Sequence, residues 1–126
     1  MEEIIIETVR LIAADKESDS IINQLRSDGI FFLDNSPCVL LNIVLVSTKE
    51  GSQKVSQLLA LNEKAKKNVA ILMNSELQIL EKANIDSVLS FSDELGFYEN
   101  FKNFLLLILS FFHPYKIFGI LGTHLS

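Results

Sequence analysis

Residues 10–33 read RLIAADKESDSIINQLRSDGIFFL. An apolar run, Arg10 to Ala14, ends at Asp15. Between Asp19 and Asp28, Ile21, Ile22 and Leu25 fall at helical spacing, and Gly29 supplies a stop. Ile30 to Leu33 is a short β-prone run. Strand, helix and strand in this order are one βα unit, and the rest of the chain repeats the theme.

Asp34-Asn35-Ser36-Pro37 reads as a turn. Asn42 to Val46 is a second apolar run, bounded by Ser47 and Thr48. A helix is predicted from Gly51 to Lys67, with Ser52 as N-cap, Val55, Leu58, Leu59 and Asn62 on one face, and Lys64, Lys66 and Lys67 at its carboxyl end. Val69 to Met73 is the next strand, Leu77 to Asn84 a short helix, and Ser87 to Phe91 a strand. Tyr98 to Phe112 is a leucine- and phenylalanine-rich helix that stops before Pro114. The first ten residues are ambiguous: Ile4-Ile5-Ile6 favours a strand, while Glu2, Glu3 and Glu7 disfavour a central one. Apolar runs of four or five residues without alternation suit strands buried on both faces. The fold class is therefore α/β: a mostly parallel sheet of about five strands with flanking helices, Rossmann-like and three-layered. The expected organisation is one Rossmann-like regulatory domain over 1–112, followed over 113–126 by a hydrophobic tail or the start of a further segment.

The chain has 126 residues, 48% of them hydrophobic and 21% charged, which suits one packed domain. Its net charge of −5 argues against nucleic acid as a partner. Met1-Glu2-Glu3 does not read as a signal peptide. The longest apolar run, Phe104 to Leu109, is far below the roughly 20 residues that span a bilayer, so no membrane insertion is expected. One cysteine, Cys38, forms no intrachain disulfide; it reads as a small core residue in a reducing, cytoplasmic setting.

Little here points to catalysis. His113 and His124 both lie near the carboxyl terminus, no metal-spaced set of ligands occurs, and Asp93-Glu94 reads as capping the last helix. The expectation is that the protein is not an enzyme. Asp15 has two readings. An acidic group beyond the carboxyl end of a parallel strand can accept from ribose hydroxyls; it can equally cap the helix that follows.

The segments LIAADKESDSIINQLRSDGIFFLDNSP, NIVLVSTKEGSQKVSQLLALNEKAK and NVAILMNSELQILEKANIDSVLSFSDELG resemble, in that order, the nucleotide-binding regulator of potassium conductance known as the RCK or Trk-type N-domain. The resemblance covers about residues 10 to 112. It implies a cytoplasmic regulatory domain of a potassium channel or transporter, assembling as a homo-oligomer and tethered to the inner face of the membrane through a parent protein. It implies a ligand such as NAD or an adenine nucleotide, with Asp15 as the ribose acid and Ser47 and Thr48 in the ligand-facing loop. The family's opening G-x-G-x-x-G turn has no counterpart among Gly29, Gly51, Gly96, Gly119 and Gly122, and the short Pro37–Asn42 segment implies that one crossover helix is lost. The chain also resembles a response-regulator receiver. There it departs in having Ala14 at one acidic position, Ser47 at the phosphoacceptor and no lysine after the fifth strand. That resemblance implies a degenerate receiver acting as a protein-interaction module without phosphorylation.

The last helix carries more apolar surface than one sheet can cover. Phe101, Phe104, Leu105, Ile108, Phe111 and Phe112 are the expected interface to a partner, with the tail from Tyr115 to Leu125 in the same hydrophobic zone.

Overall fold

A computed structural model describes residues 3–33, 35–62, 65–91 and 96–114. In chain order the elements are β1 (Ile4–Ile6), β2 (Val9–Ala13), α1 (Lys16–Ser27), β3 (Ile30–Phe32), β4 (Leu41–Val46), α2 (Lys49–Gln53), α3 (Val55–Leu61), β5 (Lys67–Leu72), β6 (Ser87–Ser90) and α4 (Phe97–Phe112). All strand pairs are parallel: β1 with β3, and β2-β4-β5-β6 as a four-stranded sheet. The α/β, three-layer expectation is met.

β1 and β2 are two halves of one strand, broken at Glu7 and Thr8. Ile4 and Ile6 share a core with Val9 and Leu11, so two residues separate inward-facing positions where strict alternation allows one. On either side of this break the strand pairs with a different neighbour. Counting β1 and β2 as one, the order is β3, β1/β2, β4, β5, β6.

The break also explains the lost crossover helix. Parallel strands ordinarily need a dozen or more connecting residues, because the chain must run back along the strand. Here Phe32 stands opposite Ile6 and Leu41 opposite Val9, so β4 begins about where β3 ends. Residues 33–40 need only cross the broken strand. Leu33 N donates to Ile6 O at 3.0 Å and Leu40 N to Thr8 O at 2.8 Å, anchoring the link at both ends. Cys38 lies in this link and is exposed, which corrects its reading as a core residue.

One face of the sheet packs against α1 and α4 through Leu25, Phe97, Phe101, Leu105, Leu106 and Leu109. The other packs against α3 and residues 77–85 through Val55, Leu59 and Ile79. β4 lies between these two cores and is buried at every position, as an unalternating apolar run predicts. α4 is held near both ends. Asp28, at the end of α1, accepts from Tyr98 Oη and from Lys102 Nζ (3.0 Å); His113 Nε2 meets Thr8 Oγ1 at 2.9 Å.

Three local expectations are corrected. The Gly51–Lys67 helix is instead α2 and α3, divided at Lys54, whose N–H bonds to Gly51 O in a tighter turn. Its N-cap is Thr48, not Ser52; Lys66 lies beyond α3, Lys67 opens β5, and Lys64 falls outside the described residues. Leu77 to Asn84 is not a helix. Ile79 is buried while Leu80 is exposed, and Asn84 takes the left-handed φ of 68°. The inward positions Leu77, Ile79 and Ile85 do not repeat at helical spacing. Asp93, Glu94, His124 and the tail from Tyr115 lie outside the described residues.

Phe101 has no exposed surface and stacks on Phe97. Phe101→Ala is expected to cost about 3–5 kcal/mol in urea unfolding, whereas Leu107→Ala, at an exposed position of the same helix, is expected to stay within about 0.5 kcal/mol.

Candidate functional site

β2 ends at Ala13, and the chain reaches Asp15 in extended conformation before α1 begins. Asp15 Oδ1 accepts from Ser18 N (3.0 Å), Ser18 Oγ (2.7 Å) and Ser47 Oγ (2.5 Å). Its Oδ2 accepts from Ser47 N (2.8 Å), Thr48 N (3.0 Å) and Thr48 Oγ1 (3.2 Å). The two bonds from Ser18 form an N-cap, satisfying an amide in the first turn of α1. The four from Ser47 and Thr48 fasten the carboxyl end of β4, which lies beside β2, to the same carboxylate. Thr48 passes the arrangement on: its hydroxyl accepts from Gly51 N at 3.0 Å and caps α2. Gly51 packs so closely that a Cβ there would overlap Asp15 Oδ2 and crowd Thr48 and Ala14.

The structure thus brings together the three residues expected to bind a ligand, Asp15, Ser47 and Thr48, but turns them on one another. A carboxylate has about four lone-pair sites, and donors of the protein itself converge on all of this one. Burial acts to raise its pKa. The hydrogen bonds from Ser47 and Ser18 outweigh that and leave it at about 2, against an ordinary 3.8. Ser18 and Gly51 are partners that sequence reading missed; Ser18 follows Asp15 at the cap spacing that could have revealed it.

Beside this clamp a cleft of about 700 Å³ opens between the start of α2 and residues 74–81. Thr48, Lys49, Gln53, Asn74, Glu76 and Glu81 line it. The hydroxyls on its wall are used internally: Ser52 Oγ donates to Lys49 O and Ser56 Oγ to Glu81 O. Among the described residues no group of three or more His, Cys, Asp or Glu side chains could hold a metal ion.

A second polar feature crosses the amino end of the sheet. Arg10, Asn42 and Asn68 stand in register on three adjacent strands. Arg10 Nη1 donates to Asn42 Oδ1 at 3.4 Å, and Asn42 Nδ2 donates to Asn68 Oδ1 at 3.0 Å. The signal was available: a polar residue stands at or near the start of three of the apolar runs, at Arg10, Asn42 and Asn68.

The six expected interface residues divide. Phe101 and Leu105 are fully buried in the chain's own core, and Phe104 and Ile108 pack against it in part. Phe111 is 81% exposed, Phe112 lies at the surface, and Leu107, absent from the expected set, is 57% exposed. Among the described residues no helix is long and apolar enough to cross a membrane. Comparison with family models, curated proteins and solved structures gave no match to the chain.

The clamp makes stability depend on pH. Because the folded carboxyl group has the lower pKa, its contribution is complete above the ordinary value of 3.8 and is lost as pH falls toward about 2. With the shift discounted for solvent screening, the loss should be about 1–2 kcal/mol in denaturant titrations. Asp15→Asn should remove most of this pH dependence and destabilise the chain at pH 7 by about 2–3 kcal/mol. Gly51→Ala should act on the same contacts, so the double variant should cost less than the sum of the two.

Proposed function

We propose that this chain is a non-enzymatic regulatory domain that works by binding copies of itself. The observation that carries the reading is the outer flank of α4. Phe104, Leu107, Ile108 and Phe111 follow one another at i, i+3, i+4 and i+7, and Leu107 and Phe111 are largely exposed. Scattered surface leucines need no explanation, but a continuous apolar stripe beside the core does.

The site at the strand ends supports the same reading. Asp15 serves as a fastener between α1 and β4, leaving no free carboxylate for a ribose or a phosphoryl group. The strand order supports the receiver-like resemblance over a Rossmann half lacking its first unit. β2 and β4 pair directly over five residue pairs, Val9 to Ala13 with Leu41 to Leu45. No gap stands between them for the strand that would carry a glycine turn. β3, β1/β2, β4, β5 and β6 run in the order 2-1-3-4-5 of flavodoxin-like folds. Service to a potassium channel or transporter, on the inner face of a membrane, is what the other resemblance implies. Self-association is implied by that same resemblance; the receiver-like one implies protein contact without naming the partner.

Light scattering coupled to size exclusion should show an oligomer at micromolar chain concentration, and Leu107→Asp with Phe111→Asp should convert it to a folded monomer. A wild-type chain that stays monomeric at the highest attainable concentration overturns the reading. Calorimetric titration with NAD, ADP or ATP is expected to be flat. Binding heat that disappears in Asp15→Asn would reinstate nucleotide sensing.

A further inference from the structure

β6 forms the edge of the four-stranded sheet, with β5 on one side and no described strand on the other. All four of its residues, Ser87, Val88, Leu89 and Ser90, are exposed. Edge strands are ordinarily blunted by a charge, a proline, a bulge or a covering element, because their free N–H and C=O groups are a template for another strand. This strand has no charge and no proline.

The edge is continuous with the α4 stripe. Leu89 stands opposite Ile71, which belongs to the core on the α4 face, while Val88 stands opposite Ala70 and faces the other way. Phe91, just past the strand, meets Phe104 edge-on with ring centres 5.7 Å apart. Phe104 is therefore on the flank of α4 turned toward β6, and Leu107 and Phe111, exposed on the same helix, neighbour it at i+3 and i+7.

Charge selects the occupant. The chain carries −5, so two copies repel at long range. A two-fold contact sets the same patch of each copy against the other, so unbalanced charge within it would be opposed by its like. Among the described residues of this patch there is none. The strand is neutral, and Asn100, Asn103, Phe104, Leu107 and Phe111 along the helix flank are neutral. Asp86, at the start of the strand, is turned to its own sheet, where Oδ2 accepts from Asn68 N at 2.7 Å. Lys102 is held by Asp28 on the other side of α4. A neutral strip on an acidic chain fits a second copy of the same chain.

We propose that β6 pairs antiparallel with β6 of a second copy about a two-fold axis normal to the sheet, joining two sheets into one. The axis keeps each face on its own side, so both α4 helices lie over the same face. It also requires opposed residues to face alike. Centring it on Leu89 sets the two copies of that side chain against each other on the α4 face. This proposal rests on the self-association proposed above and names its seam.

The test uses the full chain with Cys38→Ser and Leu89→Cys, oxidised with diamide and read by non-reducing electrophoresis. Directly opposed Cβ atoms lie about 4.5–5.5 Å apart, close to what a disulfide spans. A covalent dimer should therefore form rapidly and nearly completely, and fail to form when Leu107→Asp and Phe111→Asp are added. Val88→Cys, facing the opposite way and displaced from the axis, should link much more slowly. In parallel, hydrogen exchange of the unmodified chain should show protection of residues 87–90 rising with concentration. An oligomer by light scattering without fast Leu89→Cys linkage, or with exchange at 87–90 independent of concentration, overturns the seam and leaves self-association standing. A monomer throughout overturns both.

Discussion

One carboxylate holds the carboxyl end of this sheet together. Asp15 ends the first strand, caps the helix after it and receives the chain as it leaves β4. Parallel α/β sheets converge their strand ends and helix starts at one edge, where amide donors are left over. Many such folds leave these donors to a ligand. Here the protein supplies its own anion, and the side chains around it, Ser18, Ser47 and Thr48, are small hydroxyl residues that can reach one point. Gly51 allows that convergence because the space a side chain would need is the space the carboxylate fills. Ionised carboxylates with several amide donors are strong local fasteners, and the depressed pKa of Asp15 is the electrostatic signature of that role.

Much of the fold was legible because burial on both faces leaves a plain trace. Asn42 to Val46 reads as a central strand from its unbroken apolar character and is β4 within one residue. β2 and α4 agree as closely, the last turn of α4 stopping before Pro114, whereas β5 begins two residues earlier than expected, at Lys67. What was not legible came from interactions between distant segments. Nothing local in Glu7-Thr8 announces a break, since its function is to serve one neighbour on each side. The split at Lys54 accompanies Thr48 capping the chain four residues earlier than Ser52 would. Leu77 to Asn84 has helical propensity, but the groove it fills takes Leu77, Ile79 and Ile85 and rejects Leu80.

The candidate site shows the same division. The sequence placed Asp15, Ser47 and Thr48 near one another through the rule that strand ends converge. It could not show that they would bond to one another, because the same residue types serve a ligand or a neighbour equally well. For α4 the excess of apolar residues was plain, but not its apportioning. Phe101 and Leu105 turned inward, and the exposed share shifted to Leu107 and Phe111.

The stagger between β3 and β4 has a kinetic side. A helical crossover separates paired strands by a long stretch of chain, and that separation must be closed before any pairing stabilises it. The short link spares that cost only between β3 and β4, which do not pair with each other. Register sets the loops that matter: Ile4 pairs with Ile30, Val9 with Leu41, Leu41 with Lys67 and Val69 with Ser87. Joining the broken strand to β4 therefore closes the longest loop of the sheet, and joining β6 to β5 closes the shortest. The edge at β6 is the pairing that chain entropy opposes least, and that of the broken strand with β4 is the one it opposes most.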